Sequence, residues 1–197
     1  MQHRVERAKF DDLYAQVSAQ LVDGRYRPGD RINLKELSTR LAVSVTPLRE
    51  VLSRLVGRGV VTERRSEGYY LARLDARDIG DLYRLHLTLL TSALDAAPAI
   101  GPADPPDNIW SIFRAIVVRS GNTILADAQA YLDDRLMLLR RSDIALFGDG
   151  TDAMIALKRA LGSRDWRAAM ERCRVFHDER IAAAADLAFH FGRGASR

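Results

Sequence analysis

The spacing of apolar positions predicts that the chain begins with an amphipathic helix. Its apolar side recurs at helical intervals, at Phe10, Leu13, Tyr14, Val17 and Leu21. Gly24 then supplies a stop, and the Pro28-Gly29 pair indicates a turn. The next apolar stripe therefore belongs to a separate element.

Two short helices with a tight turn between them are predicted next. The first is capped by Asn33 and buries Leu34, Leu37 and Leu41. After a three-residue turn at 42–44, the second carries its stripe at Leu48, Val51, Leu52 and Leu55 and ends at Gly57 or Gly59. This spacing is typical of a helix-turn-helix.

A β-hairpin is predicted directly after this motif. Residues 60–62 are β-branched and indicate a strand, 64–68 form a polar turn, and 69–74 indicate the returning strand. A helix-turn-helix followed by a hairpin whose tip carries Arg64 and Arg65 predicts a winged helix.

From Asp75 onward the pattern is helical throughout. We expect helices near 76–97, 107–119, 122–141, 149–162 and 164–189, with one long break at "APAIGPADPPDN", which holds four prolines. The predicted fold class is mostly α: a winged helix-turn-helix domain with a small β-hairpin wing at 1–75, and an all-α bundle at 76–197. A chain of 197 residues accommodates two such domains.

The composition favours a soluble cytoplasmic protein. With 47% hydrophobic and 28% charged residues it is that of an ordinary globular chain. No stretch approaches the ~20 apolar residues that span a bilayer, and the N-terminus is too charged for a signal peptide. The single cysteine, Cys173, fits a reducing compartment, and we expect it to be a buried small hydrophobe.

The positive charge is concentrated in the first domain. Residues 1–75 hold 14 Lys and Arg against 10 Asp and Glu, whereas residues 76–197 hold 16 of each. A local excess of positive charge suggests a polyanionic partner, although a surplus of four is weak by itself.

The start of the second short helix carries groups suited to DNA. Ser44 can accept a backbone N–H, and Pro47 suits a first turn. Thr46 adds a hydroxyl, and Arg49 carries a fork of donors that matches guanine O6 and N7 or a phosphate. Lys35 on the preceding helix can add a further cationic contact. A plain capped helix with a solvated Arg49 is the competing interpretation.

The order of these residues resembles the DNA-binding domain of GntR-family bacterial transcription regulators. The shared pattern is G-x-x-x-P-G, then L-x-x-x-L-A, then S-x-x-P-x-R-E-x-L, followed by a wing, and it covers residues 5–74. The resemblance implies a dimer that binds palindromic double-stranded DNA. It implies DNA contacts at Lys35, Ser44, Thr46 and Arg49, with Arg65 and Gly68 in the wing. Val45 departs from the family, which usually has arginine there.

The second half more loosely resembles the helical FCD domain of the FadR subfamily, apparently trimmed by about one helix. Many such domains hold a metal with one Asp and three His. Asp133 keeps the carboxylate, but Met137, Asp152 and Cys173 stand at the histidine positions. We therefore expect no metal and no cofactor.

An unidentified small-molecule effector is nevertheless implied for this bundle. His86 takes a position where relatives often have an effector-facing arginine, although a lone histidine among leucines is more often a hydrogen-bonded core residue. The candidate ligand-binding residues are therefore His86, Asp133, Met137, Asp152 and Cys173. His177, beside Asp178 and Glu179, is interpreted as part of a solvated charged face.

Three functions follow in order of support. The first is a DNA-binding transcription regulator modulated by a small molecule. The second is a winged helix that only mediates protein contacts or dimerisation, suggested by Val45 and the small charge surplus. The third is an enzyme, for which we find no nucleophile, metal set or acid pair at usable spacing.

Overall fold

The N-terminal part of the chain folds as three helices followed by a two-stranded hairpin. The computed structural model describes residues 2–96 and 108–193, with side chains from residue 9 onward. The elements are α1 (Gln2–Val22), α2 (Leu34–Leu41), α3 (Val45–Gly57), β1 (Val61–Arg64) and β2 (Gly68–Leu71). They confirm the predicted winged helix.

Apolar packing between α1 and α3 positions the helix-turn-helix. Val17 and Leu21 of α1 are buried in the same core as Leu48, Leu52 and Leu55 of α3. Full burial of one such side chain contributes about 1.5–3 kcal/mol relative to leaving it in water. Because the apolar side of α3 faces inward, its polar side is left at the surface.

The hairpin is antiparallel, and its turn is shorter than predicted. Val61 pairs with Leu71 and Arg64 pairs with Gly68, so the turn is limited to residues 65–67. A third segment extends the sheet, because Arg31 forms a bridge with Tyr70. The sequence predicted only a turn near this segment.

Seven further helices follow within the described residues, and they confirm the predicted mostly helical fold class. They are α4 (Ala76–Ala96), α5 (Ile109–Arg119), α6 (Thr123–Leu136), α7 (Arg140–Phe147), α8 (Thr151–Gly162), α9 (Trp166–Ala182) and α10 (Ala184–Arg193), with a 3-10 turn at Met137–Leu139. Most of the predicted proline-rich break, residues 97–107, lies outside the described residues, as do the predicted ends of the two flanking helices at 97 and 107. Across 2–96 and 108–193, none of the helices has both the length and the apolar character needed to cross a bilayer.

Helix α4 is the central element of this second part. It contacts α5, α6, α9 and α10. Ile79, Tyr83 and Leu90 on its inner side are fully buried. A reciprocal pair begins the helix, because the Asp78 N–H donates to the Asp75 carboxylate at 2.8 Å and the Asp75 N–H donates to Asp78 at 3.2 Å.

Two of the predicted helices are each divided in the structure. The helix predicted at 122–141 is interrupted by the 3-10 turn at 137–139 and continues as α7 to Phe147. The helix predicted at 164–189 breaks at Ala183, where the backbone leaves the helical region. No glycine or proline marks either break. The second break lets α10 bury Leu187 and Phe191 while packing on α4 and α7.

The winged helix contacts the helical part directly. Arg58, at the end of α3, pairs with Asp134 of α6 at 3.4 Å. Arg141 of α7 donates to the main-chain carbonyl of Asp23, just after α1. The two parts therefore share polar contacts as well as a continuous apolar core.

Candidate DNA-binding surface and buried polar centre

The turn between α2 and α3 has well-defined caps. The Asn33 side chain accepts the N–H groups of Lys35 and Glu36, which begins α2 as predicted. Ala42 ends α2 with φ +53, a left-handed conformation that lets the chain reverse over residues 42–44. The Ser38 hydroxyl donates to the Val43 carbonyl at 2.5 Å and fixes this turn.

Ser44 occupies the N-cap position of α3, but its side chain does not cap the helix. The structure gives Ser44 an extended backbone and no side-chain hydrogen bond to the helix. The expectation that it accepts a backbone N–H is therefore wrong. Its hydroxyl is exposed instead, at the end of a helix whose first N–H groups favour anions.

The outer side of α3 presents the predicted contact residues. Thr46 and Arg49, one turn apart, are both exposed, and Pro47 lies in the first turn. Val45, where the family usually has arginine, is 36% exposed. This side of α3 therefore offers one hydroxyl, one guanidinium and one apolar side chain to a partner.

The predicted contact cations are not neutralised by neighbouring carboxylates. In the described part of the chain, the side chains of Lys35, Arg49 and Arg65 make no ion pair and no hydrogen bond, and all three are exposed. Other arginines of this domain are engaged: Arg40 pairs with Glu36, and Arg54 lies over the rings of Phe10 and Tyr14. An unpaired cation does not have to leave an internal pair when it meets a phosphate, so these three are suited to contact DNA.

The two neighbouring arginines of the wing, Arg64 and Arg65, differ in their contacts. Arg64 lies 4.3 Å from the centre of the Tyr70 ring and 3.5 Å from Glu67, so its charge is partly satisfied within the wing. Arg65 occupies the turn itself. Gly68 has φ +112, a conformation that favours glycine, and it leaves the wing backbone uncovered. Gly68 and Lys35 line the same groove, so the wing and α2 meet there.

The predicted ligand positions of the bundle fall in different environments. Asp133 is 7% exposed and Cys173 is fully buried, as predicted for the cysteine. Burial raises the pKa of the Cys173 thiol to about 12. Met137 is half-buried at the 3-10 turn, and Asp152 is exposed in the first turn of α8. Within the described residues, no group of three His, Cys, Asp or Glu side chains is placed to hold a metal ion.

A chain of hydrogen bonds connects two of these positions through the centre of the bundle. The His177 Nδ1 group lies 2.6 Å from the Cys173 carbonyl, which can only accept, so Nδ1 carries the proton. If His177 is neutral, its Nε2 accepts from His86 Nδ1 at 2.9 Å. His86 Nε2 in turn accepts from the Gln129 amide at 3.0 Å. All three contacts are satisfied when both rings are neutral and carry their proton on Nδ1.

The Gln129 amide extends this series of hydrogen bonds to the surface. Gln129 also donates to Asp133 at 3.0 Å, and the exposed Arg114 donates to the other oxygen of Asp133 at 2.9 Å. The structure thus brings His86, Asp133 and the Cys173 main chain together, whereas Met137 and Asp152 take no part in these bonds.

Burial keeps both imidazoles uncharged at neutral pH. It lowers the pKa of His177 from its ordinary 6.5 to about 4. Burial also lowers the pKa of His86 well below 6.5, and the neighbouring His177 and Arg140 lower it further. The interpretation of His177 as part of a solvated face is wrong, because this side chain has no exposed surface. The interpretation of His86 as a hydrogen-bonded core residue is confirmed.

A second buried cluster lies about one turn further along the same side of α9. Arg180 donates to Asp143 at 2.9 Å, with the two side chains 3% and 6% exposed. The Tyr83 hydroxyl donates to the same carboxylate at 3.4 Å. Arg140 lies 3.4 Å from the centre of the Trp110 ring, and burial lowers its pKa to about 10.

Two buried polar atoms of this region have no protein partner. They are the Gln129 Oε1 acceptor and the Arg140 Nη1 donor. Leaving such an atom unpaired costs about 1–3 kcal/mol, and more when it is charged. No sequence pattern marks either atom, because the surroundings of each are formed by residues distant along the chain.

Comparison with known proteins finds similarity mainly in the N-terminal part of the chain. Residues 9–71 match the family described as bacterial regulatory proteins, gntR family. Over 76 residues the chain is 43% identical to the Nta operon transcriptional regulator of Aminobacter aminovorans, covering 39% of this chain and 36% of that protein. It is 28% identical over 90 residues to the HTH-type transcriptional repressor GlaR of Escherichia coli, covering 46% of this chain and 41% of GlaR. The chain thus matches less than half the length of these curated relatives.

The fold of nearly the whole chain has counterparts among solved structures. A GntR transcriptional regulator from Rhodococcus sp. RHA1 superposes with a TM-score of 0.71 over 90% of this chain and 97% of that chain, at 16% identity. McbR/YncC of E. coli gives 0.70 over 89% and 96%, at 20% identity. These likenesses show a common fold.

Proposed function

We propose that this chain, whose N-terminal domain belongs to the GntR family, is a sequence-specific DNA-binding transcription regulator. The observation that carries the proposal is the exposure of Thr46 and Arg49 on the outer side of α3. Lys35 on α2 and Arg65 in the wing are exposed as well, and none of the three cations is paired within the described part of the chain. In this arrangement α3 enters the major groove and the wing follows the adjacent minor groove. Arg49 reads a base edge or holds a phosphate, while Ser44 and Thr46 add hydroxyl contacts.

The regulator acts as a homodimer on a palindromic site. One winged helix contacts only a few base pairs and discriminates poorly, whereas a two-fold pair doubles the contacts and fixes the spacing of the half-sites. Sedimentation of the full chain should give twice the mass of 22.0 kDa. A monomer at the concentrations that saturate DNA would contradict this part of the proposal.

The helical part belongs, in this proposal, to the FCD type of the FadR subfamily and binds a small-molecule effector. The two unpartnered buried atoms, Gln129 Oε1 and Arg140 Nη1, support it, because a ligand with one donor and one acceptor would satisfy both. Met137, Asp152 and Cys173 stand where the metal-binding histidines of FCD domains are expected, which supports effector binding without a metal.

Helix α6 offers a route from this centre to the winged helix. Asp133 points into the polar centre, whereas its neighbour Asp134 pairs with Arg58 at the end of α3. An effector that changes the bonds of Asp133 would shift the helix that also positions Asp134. Regulation requires that the effector favour one arrangement of the two winged helices over the other.

The effector is tested on the full chain with a panel of small carboxylic acids and amides. A ligand at a hundred times its dissociation constant should stabilise the wild type by about 2.7 kcal/mol in thermal unfolding. The matched variant Gln129→Leu should lose this response. Equal stabilisation of both proteins would place the ligand elsewhere.

DNA binding is tested by selecting from random-sequence duplexes and then measuring affinity across salt concentrations. The proposal requires an enriched palindrome and a fall of log affinity with log salt, with a slope of about −0.9 for each neutralised phosphate. Enrichment of no sequence, together with affinity independent of salt, would favour a winged helix used for protein contacts.

We further propose that the chain is not an enzyme and that it works in the cytoplasm. The curated relatives that match it are transcriptional regulators, which agrees with a non-catalytic role. The buried histidine pair also lacks a nucleophile in hydrogen-bond contact.

A further inference from the structure

A groove of about 500 Å³ lies between the wing and the beginning of α2. Arg31, Asn33, Lys35 and Gly68 are among the residues that line it. Arg31 belongs to neither the helix-turn-helix nor the hairpin, and the sequence pattern did not assign it a role.

The backbone around Arg31 is held firmly against the wing. Arg31 forms the isolated bridge with Tyr70, the Ile32 N–H donates to the Tyr69 carbonyl at 2.8 Å, and the Leu71 N–H donates to the Asp30 carbonyl at 3.0 Å. These bonds hold the segment alongside β2, next to the two-stranded sheet. The Arg31 side chain therefore starts from a fixed position at the base of the wing.

The charge of this groove is not neutralised. Like Lys35, the exposed Arg31 side chain makes no ion pair or hydrogen bond among the described residues. Among the carboxylates close in sequence, Glu36 pairs with Arg40, Glu67 pairs with Arg64, and Asp30 accepts the Arg27 main-chain N–H. Two free cations thus face a groove whose acidic neighbours are already paired.

Gly68 keeps the wing side of the groove low. A Cβ atom at Gly68 would lie 3.6 Å from Arg31 Nε, in ordinary contact with the guanidinium. Without that atom, an incoming group can approach the wing backbone and the guanidinium together. Asn33 on the opposite side has its oxygen occupied by the N–H groups of α2.

DNA geometry indicates what fills such a groove. The major and minor grooves of a duplex are separated by one phosphodiester strand, so a protein that places a helix in one and a wing in the other must accommodate that strand between them. We propose that the groove seats the phosphodiester backbone of one DNA strand and that Arg31 makes its main phosphate contact. This inference rests on the proposed function, and it adds a cation outside the family pattern in a chain that has Val45 instead of arginine on α3.

The test measures the affinity of the full chain for a duplex of about 30 base pairs by fluorescence anisotropy over a range of salt concentrations. For Arg31→Gln we expect the slope of log affinity against log salt to become shallower by about 1.8, because each protomer of the proposed dimer loses one phosphate contact worth about 0.9, with a similar loss of affinity on every duplex sequence. Arg31→Lys should retain most of the slope, because a point charge still neutralises a phosphate.

Arg25→Gln is the matched control, because Arg25 is equally exposed in the same domain but pairs with Asp23 at 2.7 Å. Its slope should equal that of the wild type, and circular dichroism should show all three variants folded. If the wild type shows the expected salt dependence and Arg31→Gln has the same slope, the Arg31 assignment is overturned and the proposed function stands. A loss that varies with sequence would make Arg31 a base reader instead. Absence of any slope in the wild type would overturn the proposed function itself.

Discussion

The buried histidine pair predicts that the chain loses stability as the pH falls below neutrality. His86 and His177 are neutral in the folded chain and hydrogen-bonded to each other at 2.9 Å. Unfolding exposes both rings to water, where their pKa returns to the ordinary 6.5. Between this value and the folded value the unfolded state binds protons that the folded state does not bind. By linkage, the free energy of unfolding therefore decreases as the pH falls through this window.

The size of the effect follows from the pKa of His177. A group that titrates at 6.5 when unfolded and at about 4 when folded lowers the free energy of unfolding by roughly 1.4 kcal/mol at about pH 5.5, relative to neutral pH. His86 acts in the same direction, because its pKa is also lowered by burial. A loss of this size is a substantial part of the ~5–15 kcal/mol that stabilises an ordinary domain.

Urea unfolding at about pH 7.5 and about pH 5.5 measures this loss, with the wild type compared with His177→Gln. The variant should be less stable at neutral pH but should depend less on pH, because it has one fewer titrating ring. The exposed His190→Gln variant should keep the wild-type dependence. Asp134, whose pKa is raised by burial, acts in the opposite direction and is common to all three proteins. A wild-type minus His177→Gln difference that stays constant with pH would refute this account.

Three other outcomes follow from the same structure. Arg49→Ala should cost about 1–3 kcal/mol of binding on the selected operator and flatten discrimination at one base position, as anisotropy on single-base variants will show, whereas an equal loss on every sequence would mean a phosphate contact. Asp143→Asn should lower the free energy of unfolding by about 3–5 kcal/mol in urea titrations, because it leaves the Arg180 charge buried without its partner. The control Glu171→Gln, which breaks an exposed pair with Arg174, should lower it by at most about 1 kcal/mol. Similar losses in both variants would contradict the argument. Elemental analysis of protein purified without added metal should show no stoichiometric transition ion beside Asp133, and one ion per chain would overturn the metal-free centre.

The winged helix was predictable because its signals are local. The Asn33 cap, the stop near Gly24 and the stripe that contains Leu48 each depend on residues within a few positions. The structure places the three helices and the hairpin where these signals indicate. The bridged segment at Arg31 gave no such signal, because a single bridge needs a partner about forty residues away in the wing.

The interior of the bundle was less predictable, because it depends on contacts between distant segments. His86 and His177 are 91 positions apart, and only the fold brings their rings together. One local sign was nevertheless present for His177: it lies four residues after Cys173 and three before Arg180, on the buried stripe of α9. The charged neighbours Asp178 and Glu179 concealed this stripe.

The break at Ala183 illustrates a different limit. The alanine-rich run around it favours an uninterrupted helix, since alanine has the highest helix propensity. The structure instead turns there, and α10 places Leu187 and Phe191 in the core. Burying two large apolar side chains contributes several kcal/mol, more than one interrupted turn of helix costs. Tertiary packing therefore overrides a local preference.

Charge shows the same dependence on the fold, with a direct consequence for function. The surplus of four positive charges in residues 1–75 does not reveal which cations are available to a partner. In the structure, Arg58 and Arg64 are held by Asp134 and Glu67, whereas Arg31 and Arg49 have no such partner among the residues that the structure describes. A polyanion gains most from cations that need not first leave an internal pair, so the pattern of pairing, more than the net charge, determines where DNA would bind. That pattern supports the proposed contact surface on α3, the start of α2 and the wing, together with the segment that carries Arg31.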